Sequence, residues 1–232
     1  MDAAFQLYRR DAVTYLFVSA LCYAPILVLQ LVVLGPAVEI EQLERLTAAY
    51  TIVIAFGYWV SVSLMSAVII RLSSEDYLGR RIEPPVAVRD ALLRLPAVML
   101  AFLLKYILLV IGMFLFLIGL LYMLARYFAI TPAIMIEERG VFTSFGRSAV
   151  LSRGRKLHIL GTLLLAFLIF IVIYFAVAIV AAATGSPVIT TVLTTAASIL
   201  LYPMFAITEM LLYYDARVRS EGYDIEMMAE GL

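Results

Sequence analysis

One cysteine and one histidine stand among 232 residues, and each scarcity excludes a class of chemistry. Cys22 alone forms no intramolecular disulfide, and His158 with one distant thiol cannot assemble a zinc-type ligand cluster. The chain also lacks a G-x-S-x-G elbow, a phosphate-cradling glycine loop and any histidine-rich metal motif. Charge is sparse too: 15% of residues are charged, with a formal net charge of zero, against about 25% charged residues in a soluble domain. No cofactor and no catalytic residue is expected, and nucleic acid is not expected as a partner.

What the chain has instead is hydrocarbon. Hydrophobic residues make up 65% of it, and apolar windows of the roughly 20 residues that cross a bilayer fall at Ala12–Leu34, Thr47–Ile70, Pro96–Leu117, Gly119–Ile136, Ile159–Ala183 and Pro187–Tyr213. The expected fold is an all-α integral membrane protein of six transmembrane helices, forming one domain over residues 1–232 with a tail at 214–232. Residues 96–125 carry Lys105 as their only charge. At 1.5 Å per residue that run is too long for one crossing, so it is expected to fold back near Ile118 and Gly119. Arg9 and Arg10 before the first window imitate a secretion signal. The long apolar run, Pro25, Pro36 and the Leu21 that precedes Cys22 favour a retained span.

The distribution of charge says more than its sum. Arg9, Arg10, Arg71, Arg80, Arg81, Arg89, Arg94, Arg139, Arg147, Arg153, Arg155, Lys156, Arg217 and Arg219 fall at the termini or in the loops after spans two and four. The remaining loops hold only Arg45, beside Glu39, Glu41 and Glu44. By the positive-inside rule both termini are expected in the cytoplasm, with the chain in the cell membrane. Each pair of spans follows a short basic segment: FQLYRRDAV, VAVRDALLRLP and FTSFGRSAVLSRGRKL. This suggests three helical hairpins, each preceded by a cytoplasmic interfacial helix. In the second segment, Pro84 and Pro85 suit a helix's first turn. In the third, Phe142, Phe145 and Ala149 share one arc, and Arg147, Arg153, Arg155 and Lys156 stand without an acidic neighbour. Those four charges fit topology alone, contact with anionic lipid at the cytoplasmic face, or docking of a partner.

Polar groups inside the spans are few. Thr191, Thr195, Ser198, Tyr202, Glu209 and Tyr213 form one stripe along span six at helical spacing, expected to face the bundle interior, and Pro203 is expected to kink that helix. Lys105, Arg126 and Glu209 are the charges deepest within spans. Such charges are expected to pair or to face a cavity. The leading expectation is an Arg126–Glu209 pair with Lys105 as a competing partner. Extension of Arg126 to water, or a role in transport or ligand binding, are the alternatives. The pairs Glu75–Asp76 and Glu137–Glu138, at span ends among arginines, read as solvated loop charge.

The stretch ARYFAITPAIMIEERGVFTSFGRSAVLSRGRKLHILG, residues 125–161, holds an arginine in span four, then a proline, an acidic end and an R-S-x-x-L-x-x-G elbow at Arg147, Ser148, Leu151 and Gly154. It resembles the characteristic block of the glycerophosphoryl diester phosphodiesterase membrane-domain family, and the ending LLYYDARVRSEGYDIEMM is also similar to that family's. FLIGLL stands where relatives carry Pro-Gly, keeping Gly119 and replacing proline by Ile118. The resemblance implies a membrane domain without the metal-bearing soluble barrel to which family enzymes fuse it. The basic elbows, the lack of catalytic residues and the short loops favour a non-enzymatic module that organises lipids or accompanies another membrane protein, or a second copy of itself. A small transporter or channel using the span-six stripe and the buried charges is the alternative, and an intramembrane enzyme acting with Tyr, Glu and Arg ranks third.

Overall fold

The computed structural model describes the backbone of residues 2–34 and 40–221, and side chains over 2–32 and 50–221. Glu39 and the tail beyond Glu221 lie outside the described residues, as do the side chains of Glu41, Glu44 and Arg45. The described chain is helical, in the order α1 (Asp2–Arg10), α2 (Ala12–Leu34), α3 (Ile40–Tyr77), α4 (Pro84–Phe114), α5 (Phe116–Arg126), α6 (Ile130–Met135), α7 (Val141–Leu151), α8 (Lys156–Ala182) and α9 (Pro187–Glu221). Among the described residues, six segments are long and apolar enough to cross a membrane: 12–32, 50–77, 84–114, 116–135, 156–182 and 187–221. Helix α9 packs against α2, α3 and α8. Consecutive helices α2 and α3, α4 and α5, and α8 and α9 also lie side by side.

Five features of the helix layout differ from expectation. The second basic segment is not a separate helix: Pro84 and Pro85 open α4, which runs unbroken through Pro96 to Phe114. Pro96 lies on the exposed side, while Ala87, Ala91, Val98 and Ala101 form one buried stripe on the packed side. Helix α3 starts at Ile40 rather than Thr47, and α9 continues through the first part of the expected tail. The chain reverses at Leu115 and Phe116, not at Ile118 and Gly119, with Phe116 in the left-handed region at φ 65°.

That reversal lies midway between two glycines that set it. A Cβ on Gly119 would sit 2.4 Å from the Gly112 carbonyl oxygen, so the arms touch backbone to backbone. Gly119→Ala is expected to cost about 2 kcal/mol through overpacking. Gly146→Ala, in α7 with nothing within 4 Å of its added methyl, should gain up to about 1 kcal/mol from helix propensity. Thermal unfolding of both variants in detergent checks the pair; equal shifts would contradict the contact.

Segment four is the last correction: it is not one helix. Helix α5 stops at Arg126 and the chain resumes as α6, in which Pro132 supplies no N–H. Ser148 of α7 bridges the gap. Its Oγ accepts from the Ala129 N–H at 3.0 Å and donates to the Arg126 carbonyl at 2.9 Å, satisfying two groups the broken ladder leaves open.

Candidate functional site

Between α4 and α8, which do not pack closely on one another, lies a cleft of about 580 Å³. Five tyrosines from five helices reach it: Tyr23, Tyr58, Tyr106, Tyr174 and Tyr202. Tyr202 contacts the rings of Tyr23 and Phe170, at centroid distances of 6.2 and 5.3 Å. Tyr58 Oη and the Gln30 amide hydrogen-bond at 3.1 Å. On the α9 wall, the Ser198 hydroxyl donates to the Thr194 carbonyl at 3.0 Å, and the Thr194 hydroxyl to that of Thr190 at 2.7 Å. Those hydroxyls are occupied by their own helix, so the wall is less polar than its composition suggests. Tyr106 on the α4 side is 59% exposed, leaving the cleft open to the outside of the bundle.

The span-six stripe divides between three environments. Ser198 and Tyr202 line the cleft; Thr195 is buried beside it with its hydroxyl unpartnered, and Thr191 is half-buried. Glu209 is 5% exposed and faces Lys105 Nζ across 3.9 Å. Tyr213 is fully buried and donates from Oη to Glu137 at 2.6 Å. Pro203 stands within α9, and the Leu200 carbonyl, one turn earlier, accepts a hydrogen bond from Tyr8 Oη at 3.1 Å.

The expected Arg126–Glu209 pair does not form. Helix α5 packs chiefly on α4 and α8, so Arg126 is carried away from α9, and Lys105 takes the carboxylate. Arg126 Nη1 donates to Tyr122 Oη at 2.9 Å, and its guanidinium lies over the rings of Tyr122 and Tyr127, 5.8 and 5.7 Å from their centroids. Two aromatic faces and a phenol therefore shield this charge in part, and among the described residues no carboxylate reaches it.

At the basic end of the bundle, Glu137 is a hub rather than solvated loop charge. It is 11% exposed and accepts from Arg147 Nε at 2.8 Å, from Tyr213, and from Arg139. Arg147, itself 11% exposed, also grips Glu221 through both terminal nitrogens, and Arg217 lies 3.8 Å from Glu137. Burial alone would raise the Glu137 carboxyl, but hydrogen bonds from Arg147, Tyr213 and Arg139 outweigh it and hold it below its ordinary value. The Glu221 bonds, opposed by burial and aided by Glu137, push the Arg147 guanidinium further up.

This redistributes the four basic residues expected at anionic lipid. Arg147 is taken up by two carboxylates, and Arg155 lies 4.0 Å from Asp215. Arg153 is exposed, and Lys156 sits over the Tyr122 ring at 5.0 Å. Four of the five cleft tyrosines were not singled out in the sequence, and Glu137 was read there as solvated charge, because the cleft partners and Arg147, Tyr213 and Arg217 all come from other segments. No family model, curated protein or solved structure matches this chain. The family resemblance read from residues 125–161 and from the ending LLYYDARVRSEGYDIEMM therefore stands on the sequence alone.

Proposed function

We propose that this chain is a non-catalytic multi-pass membrane module that seats the hydrocarbon chain of a lipid in its tyrosine-lined cleft. One observation carries the reading: an open, aromatic cleft of about 580 Å³ between two helices that leave a gap. Its size falls within the roughly 300–1,000 Å³ of small-molecule sites. Its flanks are apolar helix surface, so a ligand already in the bilayer enters without crossing water. The soft resemblance to the phosphodiesterase membrane-domain family supports a lipid context, and the bias of basic residues supports cytoplasmic termini and the cell membrane. The side-by-side consecutive helices, with α1 and α7 short and separate, support three hairpins with interfacial elbows, the second fused into α4.

The test fills the cleft. Thr194→Phe together with Ser198→Leu is expected to remove most of the lipid that accompanies the protein through mild detergent, read by native mass spectrometry, while the unfolding midpoint stays within a few degrees. Unchanged lipid stoichiometry in a folded variant would reject the reading. The second reading, a small transporter, is favoured by the buried Lys105–Glu209 pair next in sequence to Tyr106 of the cleft. It predicts that the same variant stops solute flux in proteoliposomes and leaves bound lipid unaltered.

A further inference from the structure

Most basic residues at the termini end of the bundle have an acidic partner: Arg147 with Glu137 and Glu221, Arg71 with Glu75 and Asp90, Arg94 with Glu138, Arg155 and Arg219 with Asp215. Arg126 and Lys156 do not, nor do Arg9, Arg80, Arg81, Arg89 and Arg153; what sets the first two apart is that they share an aromatic ring. Among the described residues no carboxylate lies within ion-pair distance of either, and both gather at one ring. Arg126 lies 5.8 Å and Lys156 5.0 Å from the centroid of Tyr122, which is 41% exposed on the outside of the bundle. Lys156 is also the first residue of α8, a helix of 27 residues whose N-terminus has no side-chain cap. Two partly shielded cations, a phenol and an open helix N-terminus thus converge at the α5–α8 junction with no negative charge to answer them.

We propose that Arg126, Lys156 and the N-terminus of α8 bind the phosphate of an anionic phospholipid across Tyr122. Arg126 engages the hydroxyls of Tyr122 and Tyr127, leaving its remaining donors for phosphate oxygens. Lys156 adds a point charge, and the uncapped N–H groups of α8 favour an anion at that position. The rings beneath Arg126 hold its guanidinium in place, so little side-chain entropy is lost on binding. None of these residues lines the cleft, so the site stands independently of the cleft's occupant. It also answers why a permanent cation sits in the fourth segment: the bilayer supplies the counter-charge.

The experiment titrates delipidated full-length protein in neutral detergent with short-chain phosphatidylglycerol or phosphatidylcholine, reading occupancy by native mass spectrometry. At the usual gain per basic residue near an anionic headgroup, Arg126→Gln with Lys156→Gln is expected to weaken phosphatidylglycerol roughly thirtyfold and to weaken phosphatidylcholine, whose choline offsets the same phosphate charge, by much less. Arg153→Gln, at an exposed position, should change neither. Should the double variant fail to fold, Lys156→Gln alone carries the test, with several-fold weakening expected. Equal phosphatidylglycerol affinity in the wild type and a folded variant overturns the proposal. Displacement of the lipid by millimolar inorganic phosphate would overturn the lipid as the source of the phosphate, and resistance to it supports the lipid. Failure of the cleft-filling variant to lose lipid would leave this result untouched, because the two sites share no residue.

Discussion

Replacing Glu137 with glutamine is expected to lower stability by about 3 to 5 kcal/mol, the usual cost of removing one partner from a buried ion pair. Four groups lean on this carboxylate: Arg147, Tyr213, Arg139 and, at 3.8 Å, Arg217. Its loss leaves Arg147, 11% exposed, with Glu221 alone. Arg147→Met should cost a similar amount, and the double variant less than the sum, because both changes delete the same contact. Acid separates the variants further. The folded carboxyl is held below its ordinary value, so its contribution is complete above the ordinary glutamate value of about 4.3 and fades as pH falls through the lower folded value. The wild type should therefore lose stability over that acid window while Glu137→Gln stays comparatively flat there. Chemical or thermal unfolding followed from pH 7 down to pH 3 measures both effects. Parallel pH profiles for the two proteins would contradict the hub.

The second large effect concerns Lys105. Lys105→Met leaves the carboxyl of Glu209, 5% exposed, without the cation that faces it at 3.9 Å, and a loss of about 3 kcal/mol is expected. Adding Glu209→Gln should recover most of that loss, since a neutral amide in the same place carries no unpaired charge. Arg126→Met combined with Glu209→Gln should instead be additive to within about 0.5 kcal/mol, as for sites without a shared partner. Thermal unfolding of all five variants in one detergent decides between the two partners. Coupling of Glu209 to Arg126 rather than to Lys105 would reverse the assignment.

Much of the fold was legible because a bilayer imposes its thickness on sequence. Six apolar windows had to be about 20 residues long, and the α2, α8 and α9 segments begin within a few residues of where those windows open. The span-six stripe was legible through periodicity: Thr195, Ser198, Glu209 and Tyr213 share one face of α9 and all are buried. Pairing was not legible. Glu209 could be assigned to Arg126 or to Lys105 only by knowing that α5 packs on α4 and α8. Glu137 looked solvated because it ends a span; nothing local reveals that Arg147, Tyr213 and Glu221 converge there. The cleft was hidden for the same reason, since its tyrosines come one each from α2, α3, α4, α8 and α9. Turn chemistry misled at the fourth segment, where Gly119 drew attention to itself while Phe116, an unlikely residue for a positive φ, makes the reversal.

The serine that spans the broken fourth segment also fixes an order of assembly. The Arg126 carbonyl and the Ala129 N–H are completed by a hydroxyl 22 and 19 positions further along the chain. As the chain is synthesised from its N-terminus, the fourth segment emerges while those two groups still lack their partner, a state that costs several kcal/mol for each group in hydrocarbon. The break between α5 and α6 therefore has its hydrogen bonds completed only when α7 is in place, which makes α5, α6 and α7 one cooperative unit.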